Sequence, residues 1–325
     1  MKKALVTGAL GQDGSYMIEY LVSLGYRVYG LIRKAPVANS HLVEFLKRTV
    51  NQCEFIYGDV RDELSLRSAI QKSWPDEIYN LAGQVFVPLS WQMPEETFDV
   101  NVGGLARILK IVEHVKNDTK VYQASTSEMF GNHPGQCDHE TPMAPTSPYG
   151  ISKLAAHKLA QLYRTRGIYT VCGVLFNHES PRRGHEMVTM KIASTVAGWA
   201  NGSSETLFLG NLDSRRDWGF AGDYVKAMHA MMQQKEPGDY VVGTGISHSV
   251  QDFLDTACRL AGIDKRWQAE HTVVDQRLTR VQEIYDMRAD NSKVRAMCGW
   301  QPDVDFEALV RMMVESQKRR SRKGD

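Results

Sequence analysis

Apolar positions along the chain switch between two periods in a regular rhythm. Residues 3–7 form a short apolar run of strand length. After a glycine-rich turn, Met17, Ile18, Leu21, Val22 and Leu24 recur at helical spacing until Gly25 stops them. Residues 27–32 then read as a second strand, 55–57 as a third and 77–81 as a fourth. Val102, Leu105, Ile108, Leu109 and Val112 mark one face of a long helix within residues 98–115. A strand opening at Lys120-Val121-Tyr122 delivers Ser125, Thr126, Ser127 and Glu128 to its end. A helix beginning near Pro148 continues through Leu154, His157, Leu159, Leu162 and Tyr163. Residues 171–176 and 240–245 read as later strands, the last belonging to the first sheet, and 207–209 lead into the polar run that begins at Gly210. Asp223, Tyr224 and Val225 open another helix. Helices at 250–261 and 306–319 flank an irregular stretch that holds Arg280, Glu283 and Lys293. Strands alternating with helices in this way predict an α/β fold, a doubly wound parallel sheet with ligands at the carboxyl ends of its strands. The expected division is a dinucleotide-binding domain over residues 1–175, to which 219–245 return, and a smaller mixed α/β C-terminal domain over 176–325.

Composition narrows the classes. A chain of 325 residues supports a substantial core, and a formal net charge of +1 argues against nucleic acid or an anionic membrane as the main partner. The basic end, residues 318–323, reads as a frayed solvated tail. No apolar run reaches membrane-spanning length, and Met1-Lys2-Lys3 leads straight into a strand, not into a secretory signal. Cys53, Cys137, Cys172, Cys258 and Cys298 are scattered and odd in number, as expected of reduced packing residues in a cytoplasmic protein. No metal-ligand spacing is present, so no metal is expected.

The turn Gly8-Ala-Leu-Gly11-Gln12-Asp13-Gly14 lies between a strand and a helix, the context a dinucleotide fingerprint needs. Gly8 allows the tight turn, Gly11 a close backbone approach to a pyrophosphate, and Gly14 the packing of helix on sheet; the anion would sit at a helix N-terminus. The second strand ends in Arg33-Lys34 where an acidic residue would favour NAD, so a 2′-phosphate and NADP are favoured. In Gly58-Asp59-Val60, Asp59 is placed to hydrogen-bond an adenine amino group. Leu81, Ala82 and Gln84 form a small-residue strand end against which a cofactor can lie flat. Tyr149 and Lys153, four apart, share one face of a helix, and a lysine ammonium beside a phenol favours the phenolate, so Tyr149 is a candidate base. Asn177-His-Glu-Ser-Pro-Arg-Arg183-Gly, directly after a strand, is a dense polar loop where an active site would lie.

These blocks, together with Tyr-Asn-Leu-Ala-Gly-Gln at Tyr79, Gln-Ala-Ser-Thr-Ser-Glu-Met-Phe-Gly at Gln123, Ser-Pro-Tyr-Gly-Ile-Ser-Lys at Ser147 and Arg-Arg-Asp-Trp-Gly-Phe-Ala-Gly-Asp-Tyr-Val at Arg215, span nearly the whole chain. The sequence resembles the extended short-chain dehydrogenase/reductases of Rossmann fold that act on nucleotide sugars, and among them the GDP-mannose 4,6-dehydratase family. The resemblance implies redox-neutral loss of water: Tyr149 takes the sugar 4-hydroxyl proton as C4 hydride passes to NADP, Lys153 lowers the phenol, and Thr126 hydrogen-bonds the same oxygen. Glu128 removes the C5 proton and helps expel the 6-hydroxyl, and hydride returns to C6. It further implies Asn177 and Glu179 at the sugar or diphosphate; Lys191, Arg216 and Arg280 on phosphate and nucleotide with Glu283 beside them; and His178 and Arg183 on the cofactor side. It also implies a homodimer or homotetramer, with the helices from Phe98 and Ser152 as the interface. The sequence departs from the family at Val85-Phe86, at Val281-Gln282 beside Arg280, and in the thinned loop after Arg33. A related GDP-sugar such as a GDP-manno-heptose therefore rivals GDP-mannose. A nucleotide-sugar epimerase or reductase, and a non-catalytic NADP-binding sensor, remain the other readings.

Overall fold

The computed structural model describes residues 1–33, 53–133, 135–278 and 286–323. Seven strands, β1 (Lys3–Thr7), β2 (Arg27–Ile32), β3 (Cys53–Tyr57), β4 (Glu77–Asn80), β5 (Lys120–Thr126), β6 (Thr170–Leu175) and β7 (Asp239–Val242), form one sheet in the order β7-β6-β5-β4-β1-β2-β3. Every neighbouring pair is parallel. Strand order reverses between β1 and β4, which opens a crevice at their carboxyl ends. All six residues of β6 and all four of β4 are buried, as expected of strands covered on both faces.

The longer helices are α1 (Gln12–Ser23), α2 (Glu63–Ser73), α3 (Gly104–Val115), α4 (Pro148–Thr165), α5 (Val188–Ala200), α6 (Ala221–Met232), α7 (Val250–Ala261) and α8 (Phe306–Lys323). Met17, Ile18 and Leu21 of α1 meet Ala227, Met228 and Met231 of α6 in one apolar layer. Leu66 and Ile70 of α2, Leu105, Ile108 and Val112 of α3, and Ala156 and Ala160 of α4 fill the opposite layer. A third core joins α5, α7 and α8 through Met190, Val196, Phe253, Leu254, Leu309 and Met313 around Trp218. Helix α7 starts at a capping box: the Ser249 hydroxyl accepts from the Asp252 amide at 2.9 Å, and the Asp252 carboxylate accepts from the Ser249 amide at 2.8 Å.

Several elements differ from the sequence expectation. β4 stops at Asn80 because the amides of Leu81 and Ala82 turn to the Thr7 hydroxyl, each at 3.1 Å, and leave the ladder. The helix expected over 98–115 is three pieces: Pro94–Phe98, a wide π turn over Asp99–Gly103, and α3. The wide turn brings Asn101 inward, where its amide donates to Gln84 O (3.1 Å) and Ser152 Oγ (2.9 Å) and its oxygen accepts from Gln84 N (3.0 Å). The stretch expected to be irregular holds regular elements among its described residues. Helix Lys265–His271 starts from an Asp264 cap, and Lys293 sits on helix Ser292–Cys298, which ends at Gly299 in the left-handed region. Thr272–Val274 pairs with Leu207–Leu209, and Met287–Ala289 with Gly135–Cys137. Arg280 and Glu283 lie outside the described residues. The basic end is not frayed: α8 runs through to Lys323, carried by good helix formers.

The buried carboxylate of Asp217 ties these parts together. It accepts from Thr244 N (2.8 Å), Thr244 Oγ1 (2.6 Å), Gly245 N (2.8 Å) and Ala289 N (3.1 Å). Asp217→Ala strands those donors, and at about 1–3 kcal/mol for each unsatisfied group the loss should be several kcal/mol. Urea unfolding should show it directly, and a variant of unchanged midpoint would contradict this role.

Candidate active site

The first wall of the site is the loop from β1 to α1. Gly8 has φ +65°, and a Cβ there would lie 2.8 Å from Ala82 N; a Cβ on Gly14 would run into the Gly8 carbonyl oxygen. Gly11 occupies the N-cap of α1, its amide donates to Gly8 O at 2.8 Å, and no side chain caps the helix. The helix start therefore presents backbone N–H groups and the positive end of its dipole to an anion. Gln12 and Asp13, in the first turn, reach across to the loop after β6. Gln12 Nε2 donates to His178 O (3.0 Å), Gln12 Oε1 accepts from Ser180 Oγ (2.8 Å), and Asp13 Oδ2 lies 2.8 Å from His178 Nε2.

Farther along the sheet edge, Arg33 is exposed at the end of β2. Asp59, on the neighbouring strand end, is held by Arg61 at 2.8 Å. Hydrogen bonds from Arg61, with the Arg33 charge adding to them, keep the Asp59 carboxyl below its ordinary range despite partial burial. Val60 is buried against Gly104, where a Cβ would come within 3.1 Å of it. The Gln84 side chain bonds the amide and carbonyl of Phe86 at 2.6 and 3.2 Å.

The reacting centre comes from β5 and α4. Thr126 ends β5 and caps a single 3₁₀ turn, Ser127–Met129, by accepting from Glu128 N at 3.3 Å. Ser147 caps α4 by accepting from Gly150 N at 3.1 Å, with Pro148 in the first turn where its missing N–H costs nothing. The Tyr149 amide is fixed by Ser90 Oγ at 3.2 Å. A Cβ on Gly150 would come within 2.9 Å of Glu128 O, so the helix start packs tightly on the turn bearing Glu128. Burial pushes the Tyr149 phenol up to about 12, against the lowering effect of a hydrogen bond with Thr126. Burial pushes Lys153 down to about 8. Lys153 Nζ donates to Ala124 O at 2.9 Å and lies 6.0 Å from the centre of the Tyr149 ring. Burial thus sets the direction for the phenol, and the Lys153 ammonium, expected to lower it, is turned to a backbone carbonyl.

A cavity of about 410 Å³ brings Asp13, Leu81, Thr126, Glu128, Tyr149, Lys153, Asn177, His178, Glu179, Arg183, Lys191 and Arg216 onto one surface. That volume lies in the range of small-molecule sites, roughly 300–1,000 Å³.

A family model described as GDP-mannose 4,6 dehydratase matches residues 5–313. GDP-mannose 4,6 dehydratase 1 of Arabidopsis thaliana is 45% identical over 324 residues, which is 97% of this chain and 89% of that protein. The human GDP-mannose 4,6 dehydratase is 39% identical over 336 residues, 96% of this chain and 90% of its own. The chain belongs to the GDP-mannose 4,6-dehydratase family. It is an enzyme of the hydro-lyase type. Among solved structures, a UDP-glucose 4-epimerase of Thermus thermophilus in complex with NAD superposes with a TM-score of 0.84 at 25% identity, covering 97% of this chain and 99% of that one.

Within this dehydratase-family cavity not every side chain is spent in the same way. Glu179 is buried and accepts from Thr189 Oγ1 at 2.7 Å, with Arg183 Nε 3.0 Å away. Its carboxylate therefore orients Arg183. Lys191 Nζ reaches Phe208 O at 2.6 Å, and Arg216 Nη1 reaches Arg215 O at 2.8 Å. Gly8, Gly11, Gln12, Gly14, Arg33, Asp59, Val60, Ala82 and Gln84 lie outside the cavity lining, along the sheet edge.

Sequence reasoning passed over Arg182, whose guanidinium holds Glu19 at 2.7 and 2.8 Å, reaches Ser15 Oγ at 3.0 Å and covers the Tyr16 ring at 3.9 Å. An arginine next to another arginine carries no spacing signal that would single it out. The apolar wall of Val85, Phe86, Val87 and Pro88 was also unforeseen as a wall. His157, Cys172 and Asp239 are the one metal-like group among the described residues, but Arg164 holds Asp239 at 2.6 Å, so a cation there would meet a guanidinium.

Burial alone would lower His178, but the charge and hydrogen bond of Asp13 outweigh it, and the imidazole titrates above its ordinary 6.5. The stability that the raised His178 contributes is therefore full below pH 6.5 and is lost as pH rises through its raised value, whereas that of the lowered Asp13 carboxyl is full above its ordinary 3.8 and is lost in acid. Asp13→Asn should remove that part of the pH dependence, and Tm measured across neutral pH for both proteins checks it.

Proposed function

We propose that this enzyme converts GDP-mannose to GDP-4-keto-6-deoxymannose and water, with NADP bound and regenerated in each turnover. The observation that carries the reading is the convergence of Thr126, Glu128, Tyr149 and Lys153 on a cavity whose far side offers Arg183, Lys191 and Arg216. A carboxylate beside a tyrosine–lysine pair is what loss of water from C5 and C6 requires and simple epimerisation at C4 does not. The residues fit the cofactor. A Cβ would fill the cradle at Gly8 and Gly14, an uncapped helix start faces it, and the exposed Arg33 offers a guanidinium to a 2′-phosphate.

NADP supplies, when bound, the acceptor of hydride from C4 and its donor to C6. Tyr149, once ionised to the phenolate, receives the proton of the 4-hydroxyl at Oη, and Thr126 Oγ1 hydrogen-bonds the same oxygen. Lys153, at about 8, keeps its ammonium at neutral pH one helical turn from Tyr149. A ketone at C4 acidifies the C5 hydrogen; the Glu128 carboxylate takes that proton and delivers one to the departing 6-hydroxyl, which leaves as water, and C5 regains a proton when C6 is reduced, balanced by the one Tyr149 took from the 4-hydroxyl. Arg216 neutralises the substrate diphosphate with help from Lys191, and Arg183 serves the cofactor side.

Residues 1–175 with 219–245 would hold the cofactor, and 176–325 the nucleotide sugar; Arg280 and Glu283 would join the nucleotide side. We further propose a cytoplasmic homodimer or homotetramer, using α3 and α4, where Ile151 is 46% and Leu162 62% exposed. Val85 and Phe86 line the cavity, so GDP-manno-heptose belongs beside GDP-mannose in the same assay.

Incubation with GDP-mannose and mass spectrometry should show loss of one water without accumulation of reduced cofactor; no mass change on either sugar, with NADP added, would defeat the reading. Tyr149→Phe should lower kcat by about 10²–10⁴ while NADP still binds. Glu128→Gln should stop water loss and C5 exchange with deuterated solvent, yet leave C4 oxidation visible as reduced nicotinamide absorbance. Arg33→Glu should weaken NADP by about tenfold or more relative to NAD, which is 1.4 kcal/mol of charge-assisted contact, measured by titration with both cofactors.

A further inference from the structure

His157 lies on α4 four residues beyond Lys153 and eight beyond Tyr149, on the helix face that packs against β5. It is 1% exposed and takes no part in the chemistry derived above. Its Nδ1 is 2.9 Å from Ser125 Oγ, and its Nε2 is 3.1 Å from Gln161 Nε2. Gln161 Nε2 also donates to Asp239 Oδ2 at 2.8 Å. A carboxylate only accepts, so the Gln161 nitrogen is the donor to both neighbours, and His157 Nε2 must be an acceptor. The ring is therefore neutral, with its proton on Nδ1, and donates to Ser125. Burial, which lowers His157, acts in the same direction.

Ser125 sits between two residues that the reacting centre already uses. Ala124 O receives the Lys153 ammonium, and Thr126 lines the cavity with Tyr149 and acts to lower its phenol. Three successive residues of β5 thus meet three side chains spaced by four along α4. We propose that His157 is a positioning residue of the dehydratase, which through Ser125 fixes the register of α4 on β5 and so the placing of Tyr149 and Lys153. The far side of the ring is anchored as well: Gln161 and Arg164 of α4 both grip Asp239 of β7, the guanidinium at 2.6 Å. Rotation or sliding of α4 by a fraction of an ångström would move the phenol and the ammonium together.

The proposal rests on the dehydratase reading, so wild-type turnover is the first control, and one readout needs no turnover. His157→Leu removes the donor, whereas His157→Asn keeps an N–H close to the Nδ1 position. His157→Leu should lower kcat by about tenfold to a hundredfold with KM little changed, the size expected for a misplaced catalytic group. His157→Asn should restore most of the rate. Ser125→Ala should act in the same direction as His157→Leu, and the double variant should be no slower than His157→Leu alone. Independently of activity, competitive labelling of Lys153 followed by mass spectrometry should give a titration near 8 in the wild type and in His157→Asn, and one shifted toward the ordinary 10.5 in His157→Leu as the ammonium gains solvent. Should His157→Leu fold poorly, Ser125→Ala and His157→Asn carry the same comparison. Equal rates and equal Lys153 titrations across the series would overturn the proposal, as would a loss that His157→Asn shares in full. If the wild type turns over neither sugar while the Lys153 titration still moves, the function is wrong and the positioning role stands.

Discussion

The cavity exists because the loop after β6 is locked onto the first turns of α1. Asp13 with His178, Gln12 with Ser180 and the His178 carbonyl, and Arg182 with Glu19 and Ser15 are separate contacts between the same two segments. One segment begins with the glycine turn suited to a pyrophosphate. The other carries Asn177 and Arg183 into the opposite wall. Loosening the lock would leave each half with intact side chains facing a gap of undefined width. The lock is largely buried, so its hydrogen bonds act in a low dielectric and its charges are paired, the condition under which such contacts hold geometry.

Burial also sets the electrical state of the reacting centre. The same loss of water raises Tyr149 to about 12 and lowers Lys153 to about 8, because each group is driven toward its neutral form. The strand end opposes this with specific partners, a carbonyl for the ammonium and the Thr126 hydroxyl for the phenol. The result is a base that is strong when formed and a cation that persists at neutral pH. Neither property follows from the four-residue spacing of the two side chains. Spacing places them on one face, and the neighbours decide what they do there.

The parallel sheet, its helices and the chemistry at the ends of β1 and β5 were legible in the sequence because each rests on local rules. Glycines spaced by three between a strand and a helix, and a tyrosine and lysine four apart, carry their geometry with them. What escaped depends on partners distant in the chain. Met287–Ala289 pairs with Gly135–Cys137, and neither run is long enough to announce a strand. Arg182 and His157 are ordinary by position, and His157 reads as one more residue in a helical pattern. Only the fold brings Glu19 to the first and Ser125 to the second.

The wide turn at Asp99–Gly103 has a consequence for how the chain tolerates length change. A π turn amounts to one residue more than an α-helix needs, and one residue of helix corresponds to about 100° of rotation. The turn therefore takes up the extra residue without changing the phase of its flanks: Asn101 is carried inward, and Leu105, Ile108 and Val112 of α3 still face the sheet. Removing a single residue there would let the helix close into regular α form with that apolar stripe in place, and what would be lost is the Asn101 amide that joins Gln84 to Ser152. A change of length here would be felt in the loop after β4 before it is felt in the core.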